Sequence, residues 1–331
     1  MRFPLRVFVF LLIALTAVVG FTHYSKLSFL KDPLLKTLSN SLGRTVDASQ
    51  LTVELGTEIV ITITDLQIAP PVWQSSAQFL VVPRAQIKAR IAELLESPPR
   101  LHSIEITSPT ITLINDELNG GNWAFPSAAL IDESQDDKAT QSLPMTVANL
   151  SVTDALISYL DAELGPVKTA RLSLRQTMND ASVSSRIEGN INQVPLTASI
   201  TMSPTHKLVN LESAEFSIDA DFGELTIDGE VTIKELLAPN RPEVLLSIKA
   251  PEISYLTDAL ELPSLGAGPL AMSLDIRPKK EQMALTLKGQ FGDYLAVAIG
   301  EFDALTTLDV ADLTVSLSGI DASRLGAYLP D

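Results

Sequence analysis

The chain has 331 residues, a formal net charge of −16, 46% hydrophobic residues, 5% aromatics and no cysteine. The acidic balance excludes a phosphate-neutralising nucleic-acid binder and a protein docked on anionic lipid through a basic patch. The missing thiols exclude disulfides, thiol catalysis and zinc–thiolate sites.

The chain opens on Arg2 and Arg6 followed by the apolar run Val7–Phe21. That run is at the short end of what spans roughly 30 Å of hydrocarbon at about 1.5 Å per residue. No small-x-small cleavage signal follows it, so residues 1–24 read as an uncleaved membrane anchor rather than a signal peptide. Lys26, Lys31 and Lys36 follow the run, so charge alone does not orient it. A helix is expected next. Asp32 suits a cap, Pro33 a first helical position, and Leu34, Leu35, Leu38 and Leu42 share one face before Gly43. Such a helix reads as a plug on the end of a β-core, the sharper alternative being a helix that lies on the membrane surface or guards a lipid entrance.

From Val46 the period becomes two. Val53 and Leu55 alternate, then Ile59, Ile61 and Ile63, then Leu66 and Ile68, then Ile104 with Ile106 and Ile111 with Leu113. These eleven are the candidate lining of an apolar groove. The same alternation recurs from Leu172 to Leu317, through sets such as Leu270/Met272/Leu274/Ile276 and Leu295/Val297/Ile299. Strict alternation predicts a sheet with one apolar and one wet face, broken by Gly, Pro, Asn and Asp turns. A strand to about Arg90 passes into one or two helical turns through Glu96, which Pro98-Pro99 stops. The acidic, aperiodic segment 131–142 reads as a linker between a first unit, residues 25–130, and a longer repeat-built β-body, residues 143–331. Ile248–Leu265 and Leu317–Pro330 look like two copies of one strand–helix–proline element.

Catalytic constellations are absent from the pattern. His23, His102 and His206 stand far apart and read as surface or juxtamembrane residues. No metalloprotease, nucleophile-elbow or phosphate-loop motif occurs. Asp132, Glu133, Asp136 and Asp137 lack the spacing of a calcium loop. Asn149-Leu150-Ser151 fits a glycosylation acceptor by sequence alone. Trp73 and Trp123 follow Pro and Gly-Asn turns and read as packing anchors. No enzyme activity, metal or cofactor is expected.

The order of anchor, short helix, Leu42–Trp73, Ala85–Ser97 and Leu101–Phe125 resembles the N-terminal region of the AsmA family of bacterial envelope proteins. Gly43-Arg44, Pro71 with Trp73, Ser108-Pro109 and Gly121-Asn122-Trp123 stand where that family places recurrent turn residues, and Met145–Gly165 resembles its next unit. The resemblance implies an inner-membrane anchor with a cytoplasmic N-terminus and a periplasmic body. It implies a mainly β fold, an elongated, curved antiparallel sheet with a few short helices and a chorein-like hydrophobic groove. It further implies a non-enzymatic role in outer-membrane biogenesis, with phospholipid as the partner in transfer between membranes. The chain is short for a continuous bridge across a periplasm. The competing reading is a scaffold or assembly factor that binds outer-membrane or periplasmic proteins at open sheet edges. A transmembrane barrel is disfavoured by apolar-faced strands of about five to seven residues, against the roughly 9–11 a bilayer needs, and by the low aromatic content.

Overall fold

The structure is a computed structural model that describes residues 31–74, 78–96, 98–116, 118–125, 145–161, 165–237, 241–255, 267–280, 282–302 and 310–319. The expected anchor, the 131–142 linker with its acidic residues, His23, the first repeat copy beyond Tyr255 and the helical part of the second copy lie outside these residues. The described residues form eighteen strands and three helices, so the fold is mainly β. Among them no helix is long and apolar enough to cross a membrane. The chain divides into two compact units, residues 1–178 with 187–193, and residues 179–186 with 194–331. The strands flanking segment 131–142 pair within the first unit.

In the first unit, α1 (Lys31–Leu42) carries Asp32 inside its first turn rather than ahead of it. Gly43, at φ 62°, ends the helix, and the Arg44 amide donates back to the Ser39 carbonyl at 3.2 Å. The sheet runs through β1 (Val46–Asp47) and β2 (Gln50–Leu55), then β3 (Ile59–Ile68) and β4 (Leu80–Ala89). After the short helix α2 (Ile91–Leu94) come β5 (Arg100–Thr107) and β6 (Thr110–Asp116), then β7 (Gly120–Gly121). β8 (Thr146–Asp161) and β9 (Gly165–Met178) complete the unit. The expectation of an antiparallel sheet is corrected here, because β8 lies parallel to both β5 and β6. The reason is the connection from Gly121 to Thr146. It returns the chain to the Arg100 end, where the Thr146 amide meets the Pro99 carbonyl at 2.9 Å.

Strands here are longer than the apolar alternation suggests. β3 and β4 each have 10 residues and β8 has 16, which corrects the expected five to seven. Backbone ladders need no apolar side chain, so pairing runs on through the polar ends. The length argument against a membrane barrel lapses, and the low aromatic content is what remains of it.

One row of the first unit interrupts every strand it crosses. Asp65 on β3, Ser108 between β5 and β6, and Asp154 on β8 all have positive φ, at 51°, 48° and 55°. The pairing register sets Asp65 opposite Pro83 of β4, Pro83 opposite Ser108, and Ser108 beside Asp154. Ser49, between β1 and β2, extends the row, with its hydroxyl donating to the Asp65 carboxylate at 2.8 Å. At this crease the apolar positions change parity, from Ile63 to Leu66, Ala85 to Val82, Ile106 to Ile111 and Val152 to Ala155. Each strand carries one extra residue at the same height, so the ladders stay in register and the oily side chains stay on one face. β9 carries none, and the surplus is absorbed as one register shift between Val152 and Ala155.

The second unit contains β11 (Val194–Ser203), α3 (Thr205–Val209), β12 (Ala214–Phe222), β13 (Leu225–Ile233) and β14 (Glu243–Ala250). It continues with β15 (Leu270–Lys279), β16 (Gln282–Phe291), β17 (Tyr294–Phe302) and β18 (Val310–Ser318), while β10 (Val183–Ile191) straddles the division. From β11 to β18 each strand pairs antiparallel with the next. Two-residue turns fix the registers. Gly292 holds φ 61° in the turn between β16 and β17, where a Cβ would stand 2.4 Å from the Ala267 carbonyl oxygen.

Candidate functional site

Cross-strand partners in a sheet share a face, so the registers trace continuous rows across the second unit. One row runs Ile200, Ile218, Gly229, Leu246, Leu274, Leu287, Ala298, Val315. A second runs Ala198, Ala220, Ile227, Ile248, Met272, Gly289, Ala296, Leu317. A third runs Met202, Phe216, Val231, Val244, Ile276, Leu285, Gly300, Leu313. At about 4.8 Å between strands, the seven spacings make a face roughly 34 Å wide. The opposite face is polar over β12 and β13, with Glu215, Asp219, Asp221, Asp228 and Glu230 exposed.

Little covers this apolar face within its own unit. Two small clusters pin it, one around Ile253 and Leu270 and one around Met283 and Phe302. Between them Val244, Leu246, Ile248, Met272 and Leu274 are only half-buried, and Leu313, Val315 and Leu317 are more than half exposed. Among the described residues the helical parts of this unit are α3, of 5 residues, and Ser254–Tyr255. The expectation for β17 is corrected. Leu295, Val297 and Ile299 pair with Gln290, Lys288 and Thr286, and so lie on the polar side. The Gly292 turn and the buried pair Met283–Phe302 fix the register, and Ala296, Ala298 and Gly300 take the apolar face.

The eleven residues singled out in the sequence all lie in the first unit. Val53, Ile59, Ile63 and Ile68 are buried in one cluster with Leu35 of α1, against which Ile61, Leu66, Ile106 and Leu113 also pack. Ile104 and Ile111 are half-buried, and Leu55 is exposed at a strand end. The four buried ones offer almost no surface to a guest while α1 stays in place. The barer rows of the second unit were legible as alternation. Their exposure was not, because alternation does not reveal whether a second layer covers a face.

The turn residues converge on one corner of the first unit. Arg44 is buried, with its guanidinium carbon 4.2 Å from the Phe125 ring centre and 5.0 Å from that of Phe79. Its Nη2 donates to the Ala124 carbonyl at 2.9 Å, and burial holds its pKa below the usual arginine value. Asn122 has no exposed surface. Its amide donates to Gln74 Oε1 and to the Thr112 carbonyl, both at 2.8 Å, and its Oδ1 accepts from the Ile114 amide at 3.0 Å. The Trp123 ring lies against Gly121, leaving no room for a Cβ there. These motif residues lock loops together.

His102 is not a lone surface residue. Its Nδ1 stands 3.3 Å from Glu93 Oε1 and its Nε2 3.2 Å from Arg90 Nη2. A guanidinium only donates, so Nε2 accepts and Nδ1 donates to the carboxylate. Arg90 also donates to Glu58 at 2.8 Å, which holds the Glu58 carboxyl below the usual glutamate range. His206 is exposed on α3, and the Asn149 amide donates to the His102 carbonyl at 3.0 Å. Among the described residues no acidic and histidine side chains gather as metal ligands. Compared with models of known protein families and with curated proteins, the chain matches none.

Proposed function

We propose that this chain is a lipid-handling module of the AsmA type, anchored in a bacterial inner membrane by residues 1–24 with its body in the periplasm. On this reading the apolar face of the second unit shelters phospholipid acyl chains on their way between membranes. The observation that carries it is the set of three aliphatic rows across β11–β18, half-buried over β14 and β15 and exposed on β18, with no helical layer of that unit over them among the described residues. Each CH₂ in water costs about 0.8 kcal/mol, so a sixteen-carbon chain faces on the order of 13 kcal/mol. A floor of Ile, Leu, Val, Met and Ala removes that cost while holding no single position strongly, so sliding is easy and escape is not. The acidic outer face keeps such an oily sheet dispersed.

A second reading, an assembly factor for outer-membrane proteins, draws on one observation. Among the described residues β18 pairs with β17 alone, and Leu313, Val315 and Leu317 are exposed along it. One experiment separates the two. A photo-crosslinking benzoylphenylalanine is placed at Leu274, at Val315 or, as a control on the opposite face, at Ser273, in the full chain in bacterial membranes carrying radiolabelled phospholipid. Labelled lipid adducts at positions 274 and 315 but not 273 are expected. Protein adducts at 315 with no lipid at 274 would replace the lipid reading with the assembly one.

A further inference from the structure

We propose that one corner of the first unit is a membrane-contact rim, a place where the folded body itself dips into the interface of a lipid bilayer. This goes beyond the sheltering of acyl chains and stands whether or not the second unit carries lipid.

Two neighbouring stretches make the rim, residues 69–74 after β3 and residues 118–125 around β7. Val72 is fully exposed at the tip of the first and Leu118 is 94% exposed at the tip of the second. The same two stretches carry Trp73 and Trp123, each more than a third exposed. The loops are clasped together, since the Gln74 amide donates to the Pro71 carbonyl at 2.9 Å and Asn122 holds Gln74. Trp123 is further braced by the Tyr159 ring, 6.1 Å between centres.

The exposure of Leu118 is built into the loop. The Asp116 carboxylate accepts from the Leu118 amide at 3.1 Å, the Asn119 amide at 2.9 Å and the Asn119 side chain at 2.8 Å. Gly120, at φ 74°, has open space where a Cβ would stand. A turn so well fastened could hold any polar residue at position 118, yet it holds a leucine in water. Paired apolar tips flanked by tryptophan are the chemistry of a bilayer interface, where an indole buries its ring and keeps its N–H wet. Residues 69–74 and 118–125 contain no Lys or Arg. Apolar insertion rather than attraction to anionic headgroups therefore drives the contact, which makes it insensitive to salt and compatible with zwitterionic lipid.

Trp73 and Trp123 are the only tryptophans of the chain, so intrinsic fluorescence reads the rim alone. The full chain is reconstituted into phosphatidylcholine vesicles with and without acyl chains brominated at graded depths, with W73F and W123F to assign each signal. Quenching of at least two-fold is expected, strongest for bromines nearest the headgroups, unchanged between low and high salt. The V72D/L118D double variant is expected to lose most of that quenching while it still floats with the vesicles and keeps its β circular dichroism. Vesicle-bound protein whose tryptophans ignore the brominated lipid would overturn the proposal. So would a double variant quenched as strongly as the parent, or tryptophan shielding that depends on protein concentration and not on lipid, which would mark a contact between copies.

Discussion

The two units solve the same problem differently. Both are sheets with one oily face, but the first packs Leu35 of α1 into a buried cluster with Val53, Ile59 and Ile63, whereas in the second Leu246 and Leu274 are only half-buried and Val315 is exposed. The first also spends conformational strain, since its crease holds Asp65, Ser108 and Asp154 at positive φ so that the oily residues stay on one side. The second shows no crease, and its rows run straight from β11 to β18. A covered face is a core and answers to packing. A bare face answers to what it meets.

The contrast can be broken most sharply at Asn122. Asn122→Ala removes three hydrogen bonds, to Gln74, the Thr112 carbonyl and the Ile114 amide, and is expected to cost the first unit about 4 kcal/mol. Denaturant titration followed by tryptophan fluorescence measures this, because both tryptophans belong to that unit. Leu51, buried beneath α1, is next. Leu51→Ala is expected to cost about 3 kcal/mol through lost burial and a cavity, read by the same titration. The matched change on the bare face, Leu246→Ala, opens no enclosed cavity and is expected to cost about 1 kcal/mol, measured by hydrogen exchange in β13–β15. Equal costs at positions 51 and 246 would mean that the second face is covered after all.

Val315→Asp sharpens the comparison further. Its side chain is more than half in water already, so stability is expected to change by less than about 0.5 kcal/mol. Lipid adducts from a crosslinker at Leu274 are nevertheless expected to fall several-fold. The smallest effect concerns pH. Glu58 has its pKa lowered by the hydrogen bond from Arg90. Its contribution is therefore present above the ordinary glutamate pKa and is lost as pH falls through the depressed value. The unfolding midpoints of Glu58→Gln and the parent should differ at neutral pH and converge in acid. Both carboxylate and guanidinium are solvent-exposed, so the separation should be slight.

Much of this fold is legible in the chain. The β-strands, Gly43 as the helix stop and the helical turn after β4 follow from side-chain period and turn chemistry, which act over a few residues. The skip in alternation from Ile63 to Leu66 is also visible in the chain. What the chain alone does not reveal is that Ser49, Asp65, Pro83, Ser108 and Asp154 fall on one row, because that depends on pairing between strands far apart. The same holds for β17, where the aliphatic run Leu295, Val297, Ile299 looks like the buried set and is not, the register being set by the Gly292 turn and by Phe302 packing on Met283. It holds too for the loops that Arg44 and Asn122 tie together.

Amino-acid order thus determined that this protein would be an acidic, alternating β-structure with an apolar run near its N-terminus, since each of those properties is local or summed. Tertiary structure alone decided which greasy residues are core and which meet solvent. Burial depends on whether another layer arrives over a face, and alternation along one strand contains no record of that arrival.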